Sequence, residues 1–420
     1  MTPQNLFFLG NLLIFGGLSI SRPVLSIGTG LVAVAGIWQW ILYKEHAKIL
    51  KDKYLWAFTC IFALSVLAFF HTENKSLWAE DVRIKLPFLI LPFAYTLLEM
   101  TKKQFFGVSF CFILAQFVIA ILSFGSYFFY LDNAWEVILW QIGRNGTIDL
   151  ISHIHHIYFG LFLAFSIFLA AFWFGEKTTF FFKQEKWLMF AFIFLNIIVL
   201  HLLTSRTGFL VFYLGVLIWG IYTLFQKGNK SLGLGLLLSF AFVPLLAYYT
   251  LPSFQTRINM TKWDIEQYTV AHILCDCSMG KRFYVWEQTL KIIRENPVLG
   301  TGNGDLSAEI LAKSKAQLPE MQLHKDMNEG RLLDSPHNQY LEMLAGMGMV
   351  GLIILLYILI YPFIFGRKPL DWLQIVLIAQ IAAAMFTESL LKRQWGVAFF
   401  VAFLCISRRF SQMKADVADV

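Results

Sequence analysis

DSPHNQY, residues 334–340, separates a long polar loop from an apolar run over residues 341–365. The run is long enough to cross a bilayer as a helix, since about 20 apolar residues span the hydrocarbon core. Similar apolar runs recur along the chain, with short polar clusters between them. Of the 420 residues, 58% are hydrophobic and 15% are charged, and soluble domains are not so apolar. The sequence therefore predicts an all-α polytopic membrane protein.

The apolar runs predict twelve transmembrane helices and one large outer loop that contains short helices. Helices 1–9 are expected in residues 1–250, the loop in 251–336, helices 10–12 in 337–407, and a cytoplasmic tail in 408–420. The fourth helix, Leu86–Leu98, is short and contains two prolines, so we expect it to be kinked or partly re-entrant.

Lysine and arginine are distributed unequally between the two sets of connections. One set carries about twice as many as the short loops of the other, which by the positive-inside rule places both termini in the cytoplasm. The loop at 251–336 then faces outward. We attribute the net charge of +7 to this bias and see no nucleic-acid footprint. The first residues lack a basic segment and a small-x-small cleavage site, which favours a first span over a signal peptide.

His337 is expected at the boundary between water and membrane, in the first turn of a helix. Asp334 or Ser335 is the expected cap, and Pro336 suits a first-turn position because it lacks the N–H that would be unpaired there. The positive end of the helix dipole disfavours imidazolium, which predicts a neutral imidazole able to accept a proton. Taken alone, this position is more typical of a polar residue that merely ends a membrane helix.

Arg206 lies in LTSRTG, residues 203–208, a very tight connection between two outer helix ends. An arginine at this depth is costly unless it snorkels to the interface or meets a partner or an anionic ligand. Snorkelling gives no reason for Ser205 and Thr207 on either side of it. A phosphate site would use all three side chains as donors.

Residues 281–293 of the loop, KRFYVWEQTLKII, predict an amphipathic helix that lies along the membrane face. Its apolar stripe consists of Phe283, Trp286, Leu290 and Ile293. Arg282 borders the stripe, where it is either a solvated charge or a contact to lipid-borne phosphate. The glycine-rich segment 297–305, PVLGTGNGD, follows. It favours a plain turn, or a close approach of backbone to a ligand, and its spacing is not a dinucleotide fingerprint.

A second histidine group, HIHHIY, spans residues 153–158 at another outer helix end. His153 and His156 share a helix face, but the sequence offers no carboxylate cluster to complete a metal site, so hydrogen bonding to a substrate is favoured. Cys275 and Cys277 lack the second pair of a zinc site.

Polar groups suited to a phosphorylated lipid thus concentrate on one face of the membrane. Glu388 ends the eleventh span together with Lys392 and Arg393. The outer group comprises His153, His156, Arg206, Arg282, His337 and Lys392. A transferase at the membrane boundary needs this concentration, whereas a transporter places such groups near the bilayer midplane.

Several of these stretches together resemble the O-antigen ligase and polymerase family of bacterial membrane glycosyltransferases. The matching residues are Ser205–Gly208, Arg282 with Trp286, Pro297–Gly304, Pro336–Tyr340 with Gly348 and Gly351, and His156–Tyr158. The resemblance implies a multi-pass protein of the bacterial inner membrane with its active site on the periplasmic face. It implies a glycan donor on undecaprenyl diphosphate and an inverting transfer without a metal ion or other cofactor.

The resemblance also implies roles for individual residues. His337, Arg206 and Arg282 are the expected catalytic residues, with His337 as base or hydrogen-bond acceptor and the arginines on the leaving diphosphate. The expected substrate contacts are His156, Tyr158, Ser205, Asn338, Trp286 and Lys392. The favoured acceptor is a lipid A-core sugar, as in a ligase. The alternatives are a polysaccharide polymerase or a protein O-oligosaccharyltransferase and, from another class, a flippase of lipid-linked sugars.

Overall fold

The computed structural model describes residues 2–130, 154–176, 179–225, 229–365 and 370–418, with the isolated residues 132 and 136. It is nearly all helical. The helices are α1 (Pro3–Ile20), α2 (Arg22–Tyr43), α3 (His46–Lys51), α4 (Lys53–Leu67), α5 (Lys75–Lys85), α6 (Pro87–Leu97), α7 (Lys102–Tyr130), α8 (His156–Gly175), α9 (Glu185–Leu203), α10 (Arg206–Phe225), α11 (Lys230–Thr250), α12 (Pro252–Thr269), α13 (Ser278–Glu295), α14 (Asn303–Gln317), α15 (Gln339–Phe365), α16 (Trp372–Thr387) and α17 (Gln394–Ala418). Two short strands, β1 (Ile273–Leu274) and β2 (Gln322–Leu323), pair in parallel.

Within these ranges, nine helices are long and apolar enough to cross a membrane. They are α1, α2, α4 with its 3₁₀ extension to Phe70, α7, α8, α9, α10, α11 and α15. Two shorter apolar helices, α16 and the first part of α17 (Gln394–Arg408), follow. The prediction of an all-α membrane protein is confirmed. The predicted number of twelve spans is not confirmed. At Leu86–Leu98 the chain forms only α6, whose 11 residues reach about 16 Å at 1.5 Å per residue, too short for a full crossing.

Helix α8 lies at the centre of the membrane helices. In its most apolar stretch of 18 residues, 89% is buried inside the protein. It contacts α9 and α10, the two helices joined by the tight connection at Thr204 and Ser205. Its first residue is His156. Because small residues let helices approach closely, Gly160 of α8 accommodates the side chain of Ser205, whose Oγ would lie 2.6 Å from a Cβ at that glycine.

The segment between α11 and α15 folds around a hydrophobic cluster of its own. Its members lie in β1, in α13, α14 and α15, and in the segment that follows α14: Leu274, Tyr284, Val285, Ile292, Leu306, Ile310, Leu318, Met327 and Ala345. Ala345 belongs to α15, so this cluster is built directly onto the membrane helix that follows it. Cys275 and Cys277, which the sequence left without a partner, form a disulfide between β1 and α13.

Helix α13 is the amphipathic helix that the sequence predicts, but a different face of it packs into the protein. The buried side chains include Tyr284, Val285, Thr289 and Ile292. The predicted stripe lies beside this face, and its member Leu290 is 44% exposed. The helix therefore carries two apolar stripes. The hydrophobic cluster includes the stripe that contains Tyr284 and Val285.

The glycine-rich segment 297–305 lies against a kink in α15. The backbone N–H of Thr301 donates to the carbonyl of Ala345 across 2.9 Å. At the kink, Gly348 has φ 66°, and a Cβ there would lie 2.0 Å from the carbonyl oxygen of Val298. The glycines thus allow two backbones to approach each other, which only residues without a Cβ permit at this distance. The close approach is to protein backbone rather than to a ligand.

Candidate functional site

The tight connection between α9 and α10 consists of two residues, Thr204 and Ser205. Thr204 is buried and has φ 53°, a conformation that non-glycine residues rarely adopt and that is often found at functional sites. Ser205 Oγ accepts a hydrogen bond from the N–H of Gly208 at 3.3 Å and so caps α10. Arg206 is then the first residue of α10, and its Nη2 donates to Asp264 Oδ2 at 3.2 Å.

A cavity of about 150 Å³ opens where α8, α10, α12 and α13 meet the end of α16. Three guanidinium groups face it, those of Arg206, Arg257 and Arg282, and we call it the arginine cavity. The rest of its lining is His156, Ile157, Thr204, Thr207, Ser278, Met279, Trp286, Phe386 and Thr387. Trp286 Nε1 donates to the carbonyl of Pro336 across 2.6 Å, so the residue that precedes His337 is tied to this wall.

The positive charge of the arginine cavity is only partly balanced. Arg206 pairs with Asp264, and Arg282 lies 3.8 Å from Glu388 Oε2 while donating to the carbonyl of Thr387 at 2.9 Å. In the described ranges, Arg257 has no carboxylate within 4.0 Å, and its Nε is buried without a hydrogen-bond partner. Burial and the neighbouring Arg206 lower the pKa of Arg257 to about 10. A buried cation in this condition gains from an anionic ligand, because the ligand supplies both charge and acceptors.

His337 forms a close pair with Glu388. The distance from His337 Nδ1 to Glu388 Oε1 is 2.9 Å. Burial alone would raise the pKa of Glu388, but the hydrogen bond and charge of His337 and the charge of Arg282 outweigh it, so this pKa is lowered. An ionised carboxylate only accepts hydrogen bonds, so Nδ1 carries the proton. The other ring nitrogen, Nε2, is left to accept a proton when the imidazole is neutral.

The backbone at His337 differs from the prediction. His337 has φ 46°, in the left-handed region, and α15 begins only at Gln339. Asn338 caps this helix, since its Oδ1 accepts from the N–H groups of Tyr340 at 3.0 Å and Leu341 at 3.2 Å. The predicted placement of His337 in the first helical turn is therefore wrong. It precedes the helix in a strained conformation that the surrounding contacts hold.

The predicted cap, Asp334 or Ser335, is wrong for the same reason: both side chains have other partners. Ser335 Oγ donates to Glu342 Oε2 at 2.9 Å and lies 3.1 Å from Ser389 Oγ. The carboxylate of Asp334 lies 3.6 Å from Lys392 Nζ. These contacts fix the segment before His337 to the segment around Glu388.

The structure brings together some of the residues predicted to contact substrate and not others. His156 and Trp286 line the arginine cavity. Tyr158 is buried among the helices, with its hydroxyl 3.5 Å from the carbonyl of Leu390. Ser205 and Asn338 cap helices, as described above, and Lys392 lines a different cavity. Direct substrate contacts of these residues stay predictions. His153 lies outside the described residues.

Three residues of the site were not assigned a role from sequence: Arg257, Asp264 and Glu388. Arg257 and Asp264 are separated by seven positions on α12, which is two helical turns, so they share one face. That spacing could have indicated from the sequence that the two residues face the same site. Glu388 gave no such signal beyond its position at a helix end, because its partners are distant in sequence: His337 lies 51 residues earlier, and Arg282 is more distant still. Among the described residues, no three His, Cys, Asp or Glu side chains are grouped to hold a metal ion.

The region that carries most of this geometry can be compared with known families. Residues 190–356 match the O-antigen ligase family. The family predicted from the sequence motifs is thereby confirmed. The matched region contains Arg206, Arg257, Arg282 and His337, and Glu388 lies beyond it. The match supports a membrane protein related to the O-antigen ligases over this region.

A relative from Haemophilus influenzae, described as an uncharacterized protein, is 32% identical over 241 residues. The match covers 53% of this chain and 57% of the relative. The chain thus spans little more than half the length of the curated relative it matches. This similarity assigns no substrate.

Proposed function

We propose that this protein transfers a saccharide from undecaprenyl diphosphate to a hydroxyl group of a lipid A-core acceptor, as an O-antigen ligase does. The observation that carries the proposal is the arginine cavity, where three guanidinium groups share two carboxylates and lie next to the His337–Glu388 pair. The family match adds the substrate class, a glycan on a lipid carrier.

The arginine cavity suits the leaving group. When the bond between the anomeric carbon and the diphosphate breaks, negative charge develops on the phosphate oxygens. Guanidinium groups that are already in place stabilise this charge without reorganisation, and their paired N–H groups fit phosphate oxygens. Arg206 is held by Asp264 and Arg282 by the carbonyl of Thr387, so their positions are fixed before substrate binds. In this proposal they replace the metal ion that other enzymes use for the same purpose.

His337 suits the attacking group, which is a neutral hydroxyl. Its Nε2 takes the proton of this hydroxyl while the new bond to the anomeric carbon forms and the bond to the diphosphate breaks. Attack from the face opposite the leaving group inverts the configuration. Glu388 holds the ring orientation and stabilises the imidazolium that results, as a carboxylate next to a histidine base does in hydrolases. Because the diphosphate is a good leaving group, positioning contributes alongside proton transfer.

We place the active site on the periplasmic side of the inner membrane, with residues 251–336 as the outer domain and both termini in the cytoplasm. The distribution of lysine and arginine supports this orientation. The disulfide between Cys275 and Cys277 also supports it, because disulfides persist in oxidising compartments such as the periplasm.

The test is the state of the lipid-linked glycan in a strain that lacks this protein. A ligase predicts long polymer accumulating on the carrier, since polymerisation continues while attachment fails. Single repeat units on the carrier would instead indicate a polymerase. Unchanged carrier-linked and surface glycans would contradict both and leave transfer to protein as the reaction to assay. A complemented strain carrying His337→Ala must behave like the deletion, while wild-type complementation restores the surface glycan.

A further inference from the structure

A second cavity, of about 290 Å³, lies near the same pair of residues and has no part in the chemistry described above. It is lined by residues of α2, α5, α14, α15 and the segment 391–395. Its charged and aromatic members include Arg22, Arg83, Glu342, Lys392, Arg393 and Trp395. The arginine cavity shares none of its lining residues.

Two short chain segments separate the cavities. In the first segment, residues 336–339, the carbonyl of Pro336 accepts a hydrogen bond from Trp286 of the arginine cavity, whereas Gln339 lines the second cavity. In the other, Thr387 lines the arginine cavity and Leu391 lines the second. His337 and Glu388 occupy the middle of these two segments, so the candidate base lies in the wall between the cavities.

The wall is cross-linked from the side of the second cavity. Glu342, which lines that cavity, accepts hydrogen bonds from Ser335 at 2.9 Å and from Ser389 at 2.6 Å. These serines lie two positions before His337 and one after Glu388. These hydrogen bonds fix the two segments next to His337. An acceptor in the second cavity would therefore lie against a fixed surface beside the candidate base.

The second cavity has an excess of positive charge. Five basic and three acidic residues line it. Lys85 is paired with Asp81 at 2.6 Å, and Arg83 lies 3.7 Å from Glu80. Arg393 has no carboxylate within 4.0 Å in the part of the chain that the structure describes, and it is exposed at the cavity.

Arg22 is also without a carboxylate at that distance among the described residues, and its guanidinium lies 4.0 Å from the ring centroid of Trp395. Polar groups that suit sugar hydroxyls, those of Asn303, Ser307 and Gln339, complete the lining. Two unpaired guanidinium groups beside neutral donors and acceptors fit a saccharide that carries an anionic substituent.

We propose that the second cavity binds the acceptor, and that the acceptor is a saccharide bearing a phosphate or another anionic group. The inference rests on the proposed transfer reaction. An inverting displacement requires the attacking hydroxyl and the leaving diphosphate on opposite sides of the anomeric carbon. Two cavities on opposite sides of the wall that carries His337 meet this requirement. Arg393 and Arg22 hold the anionic group, and Lys392, which donates a hydrogen bond to Ser307 at 2.9 Å, adds a third cation to the same lining.

The test compares Arg393→Gln with Arg294→Gln in the full chain reconstituted in liposomes. Arg294 is an exposed arginine on α13 that lines neither cavity, so its loss removes the same charge elsewhere. The donor is an undecaprenyl diphosphate-linked glycan. The acceptor is a lipid A-core oligosaccharide, used with its phosphates and after their enzymatic removal. Acceptor binding is also measured directly, without donor.

We expect Arg393→Gln to raise the acceptor KM about tenfold, as loss of one charge-assisted hydrogen bond would, and to leave the donor KM unchanged. Dephosphorylation should raise the wild-type acceptor KM to a similar extent and add little in the variant. Arg393→Lys should restore most of the affinity, and Arg294→Gln should behave as wild type. A rise in donor KM alone, or an unchanged acceptor KM, overturns the inference while leaving the transfer reaction intact. Phosphate-dependent binding without any new glycosidic bond in wild type overturns the transfer reaction and the acceptor role together.

Discussion

Glu388 accepts a hydrogen bond from His337 across 2.9 Å, although 51 residues separate them in sequence. The chain between them forms α15 and α16, which leave the site and return to it. The pair is thus formed only when both helices have packed in their final register. A change anywhere along this helical hairpin can alter the geometry of the candidate base.

We predict that His337→Ala lowers the transfer rate by about 10²–10⁴-fold, the usual contribution of a general base. Because the side chain is only partly buried, at 28% exposure, the variant should fold and be extracted in wild-type amounts. The measurement is formation of the glycosylated acceptor by purified protein. His324→Gln, a change at a histidine in residues 251–336 that pairs with Asp326, is the control and should retain activity. Full activity in His337→Ala would contradict the proposed role.

Glu388→Gln should lower kcat by about tenfold to a hundredfold with little change in either KM, because the amide still accepts from Nδ1 but no longer stabilises imidazolium. A purely structural role would instead raise both KM values along with the loss of kcat. Steady-state kinetics of wild type and variant, with each substrate varied in turn, decide between the two.

The lowered pKa of Glu388 also predicts a pH dependence of stability. A carboxyl group whose pKa is lower in the folded protein stabilises it fully above the ordinary glutamate value of about 4.3. That contribution disappears as the pH falls through the lowered value. The melting temperature of wild type should therefore drop more steeply below about pH 4.3 than that of Glu388→Gln. Parallel curves would mean that folding leaves the pKa of Glu388 unchanged.

Arg257→Gln should raise the donor KM about tenfold and leave the melting temperature unchanged or higher, because no carboxylate loses its partner. Arg206→Gln differs in that it leaves Asp264, whose side chain is 5% exposed, without its cation. It should raise the donor KM and also destabilise the protein by about 1–3 kcal/mol. Donor kinetics and thermal unfolding, measured on both variants, separate these effects. A stability loss in Arg257→Gln equal to that in Arg206→Gln would contradict this account of the cluster.

Gly348→Ala should destabilise the protein by about 1–3 kcal/mol or more, because the residue has positive φ and a Cβ would collide with the carbonyl of Val298. We expect residues 251–336 to become more sensitive to proteolysis as their contact with α15 loosens. Gly235→Ala is the control, since a Cβ at that helical position meets nothing within 4 Å. Thermal unfolding and limited proteolysis of both variants test this, and equal behaviour would contradict it.

The sequence predicted local features well because they depend on local physics. Length and hydropathy predicted the long membrane helices, and the spacing of LTSRTG predicted the tight connection that carries Arg206. The conformation of His337 was predicted wrongly, because three neighbouring residues, Asp334, Ser335 and Asn338, can each cap a helix. Only the tertiary partners of Ser335 and Asp334 leave Asn338 as the cap.

Relationships between distant segments could not be predicted in the same way. The partnership of His337 with Glu388 and the shared cavity of Arg257 with Arg282 depend on how α12, α13 and α16 pack. On α13 the periodicity allowed two apolar stripes, and nothing in the helix itself shows which of them meets the neighbouring cluster. The predicted crossing at Leu86–Leu98 is not confirmed, because hydropathy alone does not show where a helix ends, and α6 has only 11 residues.

The separation of the two cavities has a kinetic consequence. Spent carrier can dissociate from the arginine cavity and fresh donor can replace it while the acceptor stays in the second cavity. Substrate binding should then follow a random order rather than a compulsory one. Release of the product from the second cavity and release of the spent carrier from the arginine cavity are then separate steps, and the slower of the two limits turnover.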